Sequence, residues 1–314
     1  MTDVKTSEFE LYKVISNMTQ ESLRKSLTNI LKKHYSNVIS TKEYIMAQGE
    51  TPIALVAHLD TVFPYGKRAI YYDREAQVIW SPHGLGADDR AGVFAILQII
   101  QHGYRPTVIF TTDEELGCIG ADQLTLDFDV APWPIHYIIE LDRQGANDCV
   151  FYECANPEFQ KHIESFGFVT DFGSFSDISA ICPVWGIAGV NLSVGYVKEH
   201  SLQETLHVKY WKRTIKQVEK MLKKENIPAF KYIPLRIRKH FNPLDDVVCS
   251  GCGEKTDPYL IIPVNDKVFC PSCAVEKIDW CKKCGAPYII GEENKHICKE
   301  ETDDRGDQRN SETV

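Results

Sequence analysis

Five short stretches of the chain set metal-ligating side chains beside apolar runs. His58-Leu59-Asp60 ends the run beginning IALVA, and Asp88-Asp89-Arg90 precedes GVFAILQII. Asp113-Glu114-Glu115 follows TVIFTT, Asp142 follows YIIEL, and Glu199-His200 lies just beyond AGVNLSV. Histidine and carboxylate side chains are the usual nitrogen and oxygen ligands of zinc. Two cations about 3.5–4 Å apart can share a carboxylate and lower the pKa of a water toward about 7. A carboxylate that binds neither cation can take the remaining proton and pass it to a leaving amine. Glu114 and Glu115, side by side, offer one base and one ligand. Singly, an HxD, DD or EE is a surface turn; in this order, each beside an apolar run, they read as one metal site.

Such residues need elements that bring their ends together. Runs 53–58, 107–112, 136–141 and 188–194 are β-branched and nearly continuous, the pattern of buried strands. The spacing predicts a helix over 92–100, one amphipathic helix over 8–34, and a Lys-rich helix over 207–225. This alternation predicts an α/β fold, a mostly parallel or mixed sheet flanked by helices. Ligands of open α/β sheets collect at the carboxyl ends of the strands, where these side chains lie. Asp113 reads equally as a strand-end cap or a substrate contact, and Ser176-Asp177 as a helix cap. His83, His102, His136, His162 and His207 read as ordinary histidines.

The chain has 314 residues, 43% of them hydrophobic, enough for one sizeable core and a small appendage. No run approaches the roughly 18 apolar residues of a membrane span, and the N-terminal residues lack a secretory apolar stretch. A cytoplasmic location without a membrane partner is the expectation, and there cysteines stay reduced. Net charge is −9: residues 209–241 carry a local +9, while residues 1–208 carry about −12. An acidic body argues against nucleic acid as the main partner and suits divalent cations. The basic stretch reads as a solvated helix face, with docking onto the acidic body as another reading.

HLDTV, GADDRAGV, FTTDEELG, ELD and the late EH resemble the motif set of the co-catalytic di-zinc exopeptidases. That group includes bacterial leucyl aminopeptidases, peptidase T and deacylases such as carboxypeptidase G. The resemblance covers residues 50–208 and implies a zinc-exopeptidase-like fold. It implies that His58 and Asp142 bind one zinc, Glu115 and His200 the other, and that Asp88 bridges both. Asp60 would orient His58, and Glu114 would be the general base. A cis peptide between Asp88 and Asp89 is implied as well. The gaps His58 to Asp88 (30 residues) and Asp142 to His200 (58) leave no room for the shell-forming or lid domains of larger relatives. The implied activity is an aminopeptidase acting on short peptides, with two Zn²⁺, Co²⁺ or Mn²⁺ ions. N-acyl amino acid deacylation and a non-enzymatic zinc-ribbon adaptor remain alternatives.

Seven of the 11 cysteines crowd into the last quarter of the chain. The spacing Cys249-x2-Cys252-x17-Cys270-x2-Cys273 is that of a closed, structural four-thiolate zinc site, resembling a zinc ribbon. VNDKVF (264–269) fits a strand leading into its second knuckle. Cys281-x2-Cys284-x11-His296-x-Cys298 offers a second, less regular set, and a cross-braced pairing of all eight ligands stays open. One or two structural zincs are expected. A partner protein, a nucleic acid or the catalytic crevice could each engage this module, its acidic balance weighing against nucleic acid. The expected division is a catalytic domain without lid insertion (1–226), a Pro-punctuated linker (227–247), the zinc module (248–299) and a disordered tail (300–314).

Overall fold

The computed structural model describes residues 5–63, 68–173, 175–233, 247–256, 262–264, 267–281 and 287–292. The chain divides into two units, residues 1–235 and 236–314.

The first unit opens with α1 (Thr6–Ser16) and α2 (Gln20–His34), then β1 (Val38–Ser40), β2 (Tyr44–Ala47) and β3 (Thr51–His58). A hairpin, β4 (Tyr71–Asp73) and β5 (Val78–Trp80), precedes α3 (Ala87–Gln101), β6 (Pro106–Thr111), α4 (Ile119–Asp127) and β7 (Tyr137–Arg143). There follow β8 (Asp148–Val150), α5 (Pro157–Glu164), β9 (Val169–Thr170), α6 (Asp177–Trp185) and β10 (Gly189–Ser193). The unit ends with β11 (Tyr196–Val197), β12 (Thr205–His207) and α7 (Val208–Leu222). Eight strands form a mixed sheet in the order β1-β2-β6-β3-β7-β10-β8-β9, with β6, β3, β7 and β10 parallel neighbours.

Side chains of a strand alternate between faces, and β3 uses both. Ile53, Leu55 and Ala57 join the core shared with α1, α2, α3 and α7; Ala54 and Val56 join the core shared with α4 and α6. A strand buried on both faces is apolar throughout, which is why IALVA reads as a continuous run. The mixed, mostly parallel sheet between helical layers is the fold class expected. His58 pairs in register with Thr111, so the ends of β3 and β6 open at the same level. A second, four-stranded sheet, β11-β12-β5-β4, joins the 61–86 segment to the stretch after β10.

The structure differs from the sequence reading at three places. The helix expected over 8–34 is two helices. Thr19 caps α2 by accepting from Ser22 N at 3.1 Å, and the buried Arg90 takes carbonyls at the break, those of Ile15 (3.4 Å) and Met18 (3.1 Å). Residues 227–233, assigned to a linker, run along the first unit instead. Phe230 N donates to His136 O, Ala188 N to Phe230 O, and the Phe230 ring packs on Tyr137, Phe159 and His162. Of VNDKVF, Lys267–Phe269 form β16, the strand leading into Cys270, while Val264 ends a separate strand, β15 (Ile262–Val264), paired antiparallel with it.

The second unit also holds β13 (Val247–Val248), β14 (Lys255–Thr256), α8 (Pro271–Lys277), β17 (Ile278–Trp280) and β18 (Pro287–Ile289). Val264, Phe269, Ala274 and Ile278 form its small core with Cys249 and Cys273. Among the described residues, no helix is long and apolar enough to cross a membrane.

Candidate metal centre

The apolar part of β3 holds its last residue, His58, fully buried. His58 Nδ1 lies 3.1 Å from Asp60 Oδ1, and Nε2 lies 3.0 Å from Asp88 Oδ1 and 3.4 Å from Asp142 Oδ1. The other oxygen of Asp88, Oδ2, is 3.1 Å from His200 Nε2, which also lies 2.9 Å from Glu115 Oε2. Two sets of three ligand atoms result, His58–Asp88–Asp142 and Asp88–Glu115–His200, each within 4.8 Å, with Asp88 in both. Asp60 links the two strand ends, because it also accepts from the backbone N–H groups of Glu114 (3.1 Å) and Glu115 (3.0 Å). The peptide bond between Asp88 and Asp89 is cis.

These residues fit a pair of cations. Two donors each about 2.1 Å from one tetrahedral zinc lie about 3.4 Å apart, and the spacings between the ligand atoms above are close to that. The charge balance agrees. Burial draws the His58 pKa down, but Asp142, Asp60 and Asp88 outweigh it and hold it well above the usual range. The hydrogen bond that His200 donates to Asp88, with Glu115 beside it, carries His200 up to about 9. Burial would raise Asp88, yet the two imidazoles hold it well below the ordinary carboxylate range. Burial lifts Glu114 to about 8, with Asp142, Asp177 and Asp88 adding repulsion, and lifts Glu115 to about 7 with Asp88. So many acids in one buried place call for positive charge.

Four further residues build the site and carry no motif. The Asn191 side chain grips the backbone of Asp142 from both sides, accepting from Asp142 N at 2.9 Å and donating to Asp142 O at 2.8 Å. Tyr196 OH donates to Asp142 Oδ1 at 3.0 Å and Ser176 Oγ to Asp142 Oδ2 at 3.2 Å. Glu204 accepts from Gly86 N at 2.6 Å and from Asp88 N at 3.0 Å, fixing the loop that carries Asp88. A neighbouring carboxylate on β12's approach was the only sequence signal, and it resembles any surface glutamate.

Other expected residues have structural partners. Asp113 Oδ1 accepts from Gln20 Nε2 at 2.8 Å, and Asp113 N donates back to Gln20, so it serves the strand end. Ser176 is the N-cap of α6, as expected, its N–H donating to Ser179 Oγ at 3.1 Å, and its hydroxyl in addition reaches Asp142 in the centre. His102 pairs with Glu219, His136 Nδ1 lies 2.7 Å from Ile227 O, and His162 packs against aromatic rings. A cleft of about 340 Å³ opens over the two ligand sets; Glu114, Glu199, Arg143 and Tyr152 are among its walls.

In the second unit, the thiol groups of Cys249, Cys252, Cys270 and Cys273 lie within 4.8 Å of one another. Cys249 Sγ accepts from Cys270 N at 3.2 Å and from Gly251 N at 3.3 Å. A Cβ at Gly251 would meet Cys273 Sγ at 2.9 Å, so a glycine is needed in that turn. Of the second set, Cys281 is described, while Cys284, His296 and Cys298 lie outside the described residues.

The fold has counterparts among solved structures. A tripeptidase from Staphylococcus aureus superposes with a TM-score of 0.52 at 16% identity, over 67% of this chain and 95% of that one. The aminopeptidase PepT from Bacillus cereus gives 0.51 at 15%, over 67% and 96%. A TET aminopeptidase from a marine-sediment Thaumarchaeota archaeon gives 0.55 at 13%, over 70% and 98%. The first unit has the zinc-exopeptidase fold. No family model matches the sequence, and no curated protein does. Likeness at this identity speaks for the fold alone; the chemistry rests on the residues of the centre itself.

Proposed function

We propose that the chain is a metal-dependent peptide hydrolase, an aminopeptidase acting on short peptides. Asp88 carries this reading: one carboxylate spans two imidazoles, Oδ1 at 3.0 Å from His58 Nε2 and Oδ2 at 3.1 Å from His200 Nε2. His58, Asp88 and Asp142 would hold one divalent cation, and Asp88, Glu115 and His200 the other. Zinc suits these ligands, as would cobalt or manganese. When bound, such a pair supplies Lewis acidity and makes a water acidic enough to lose a proton near neutral pH.

Glu114 belongs to neither ligand set and lines the cleft. It takes the proton of the attacking water as the water oxygen bonds to the carbonyl carbon. It then gives that proton to the amine nitrogen as the C–N bond breaks. Positive charge beside it would bring its carboxyl down from about 8 toward neutrality, where a general base works best. Asp60 holds the His58 ring in place and, through two backbone N–H groups, sets Glu114 and Glu115 relative to it.

Glu199, another cleft carboxylate outside both sets, favours a substrate with a free ammonium over one whose amine is acylated. A small peptide is therefore the proposed partner of this cleft. Glu114→Gln tests the mechanism: metal content should be retained while turnover on dipeptides falls about 10²–10⁴-fold. An active Glu114→Gln variant overturns it, and faster cleavage of N-acyl than of free-amine substrates would favour deacylation.

A further inference from the structure

The cleft does not end at the ligand sets. A second cavity of about 450 Å³ lies behind it, and Tyr152 and Gly173 line both. Val150, Phe151, Pro157 and Phe172 give the second cavity an apolar wall. The partition is built with care. Tyr152 and Glu153 both adopt left-handed backbone, φ 44° and 62°, which is costly for residues other than glycine. Tyr152 OH lies 3.5 Å from Asn191 Nδ2, the side chain that clamps Asp142. The ring therefore has its hydroxyl toward the centre and its edge toward Gly173. A Cβ at Gly173 would meet Tyr152 Cε1 at 2.6 Å and Val150 Cγ1 at 3.0 Å. No positive φ demands a glycine at 173, so space alone does: the loop after β9 presses onto the tyrosine ring.

Charge says which part of a peptide reaches this cavity. Arg143 lines the cleft, and its Nη2 donates at 2.8 Å to Asp171 Oδ2, a residue of the second cavity. Paired with Asp171, Arg143 leaves no net charge at that connection to hold an α-ammonium, whereas Glu199 attracts one. The amino end of a peptide then sits by Glu199, and the residue beyond the scissile bond lies toward Tyr152.

We propose that the cavity behind Tyr152 and Gly173 is the leaving-side subsite and takes a large apolar side chain, an assignment that rests on the peptide-hydrolase reading. The substrate class is peptides with an aromatic or long aliphatic second residue. The test uses the zinc-loaded full chain with Ala-Phe and Ala-Ala. The kcat/KM ratio should favour Ala-Phe about tenfold or more, the scale at which a fitted apolar pocket discriminates. Phe172→Ala should bring the ratio toward one, and as Phe172 is 93% exposed, its loss removes no core. Gly173→Val, with zinc content checked, should do the same by displacing the Tyr152 ring. Glu114-dependent cleavage with no second-residue preference overturns the assignment and leaves the hydrolase reading intact. A preference for Phe-Ala that the same variants abolish also overturns it, placing the cavity on the amino side. Absence of any peptide cleavage removes the hydrolase reading and this assignment together.

Discussion

Glu204 Oε1 accepts the backbone N–H of Asp88 at 3.0 Å across 116 positions of sequence, and its other oxygen accepts that of Gly86. The bonds hold the loop in which Asp88 faces both imidazoles. Glu204 is buried and binds no candidate cation, so its action is on the ligand's position. Outer partners of metal ligands are typically worth about 10–100-fold in metal affinity. Glu204→Ala should weaken zinc binding by that factor, read by chelator competition, and Glu204→Gln less, because the amide oxygen keeps one acceptor. Unchanged affinity in Glu204→Ala would show that the loop holds itself.

The acids of the centre set a pH dependence with a definite sign. Burial, first of all, lifts Glu114 to about 8 and Glu115, Asp177 and Glu204 to about 7. The folded chain thus keeps protons that the unfolded chain has released in the same interval. That contribution is complete below the usual carboxylate range and is lost as pH rises through 7–8. His200, lifted to about 9, acts in the same direction above its ordinary value. For protein stripped by a chelator, Tm should fall steadily between about pH 5.5 and about pH 8.5. Zinc should restore most at the alkaline end, since its ligands bind deprotonated. Calorimetric scans decide it; a Tm rising over that interval contradicts the assignment of buried, protonated acids.

What could be read from the sequence was set by how each residue acts. The candidate ligands His58, Asp88, Glu115, Asp142 and His200 converge through their own side chains, from strand ends, the start of α3 and the turn after β11, so residue type and the neighbouring apolar run announce them. Asn191, Tyr196 and Glu204 act on the backbone or side chain of another residue far away in sequence, and nothing local distinguishes them. The same holds for the break between α1 and α2, whose freed carbonyls are taken by Arg90, more than 70 positions on. The central strands β3, β6, β7 and β10 showed as continuous apolar runs, but β8 and β9, three and two residues long at one side of the sheet, are too short to leave a pattern.

The four-thiolate cluster of the second unit should hold zinc through thiolates. The Cys270 backbone N–H leads the contacts that draw the Cys249 thiol down to about 6, so it is ionised at neutral pH and ready to ligate. Cys249→Ser should lower the zinc content by about one equivalent, and residues 247–292 should become susceptible to protease. The core beside the cluster is small, so metal binding must supply much of the folding free energy there. Zinc content equal to that of the parent chain would remove this site.

Gly92 tests how tightly α3 is held over β7. Its backbone is helical and would accept any side chain, yet a Cβ there would lie 2.0 Å from Leu141 O and 2.5 Å from Asp89 Oδ1. Neither neighbour can yield. Leu141 belongs to a central strand, and Asp89, fully buried, accepts from His58 N at 3.2 Å and Gly92 N at 2.9 Å. Moving Asp89 to make room would shift the backbone of His58. Overpacking of this kind typically costs about 1–3 kcal/mol, and a clash with backbone belongs at the upper end. Gly92→Ala should lower the denaturant midpoint accordingly and weaken zinc binding with it. Ala91→Gly, one position away, should cost only the roughly 1 kcal/mol of a helical glycine. Equal losses in the two variants would mean that helix propensity, and not the contact with Leu141, decides the position.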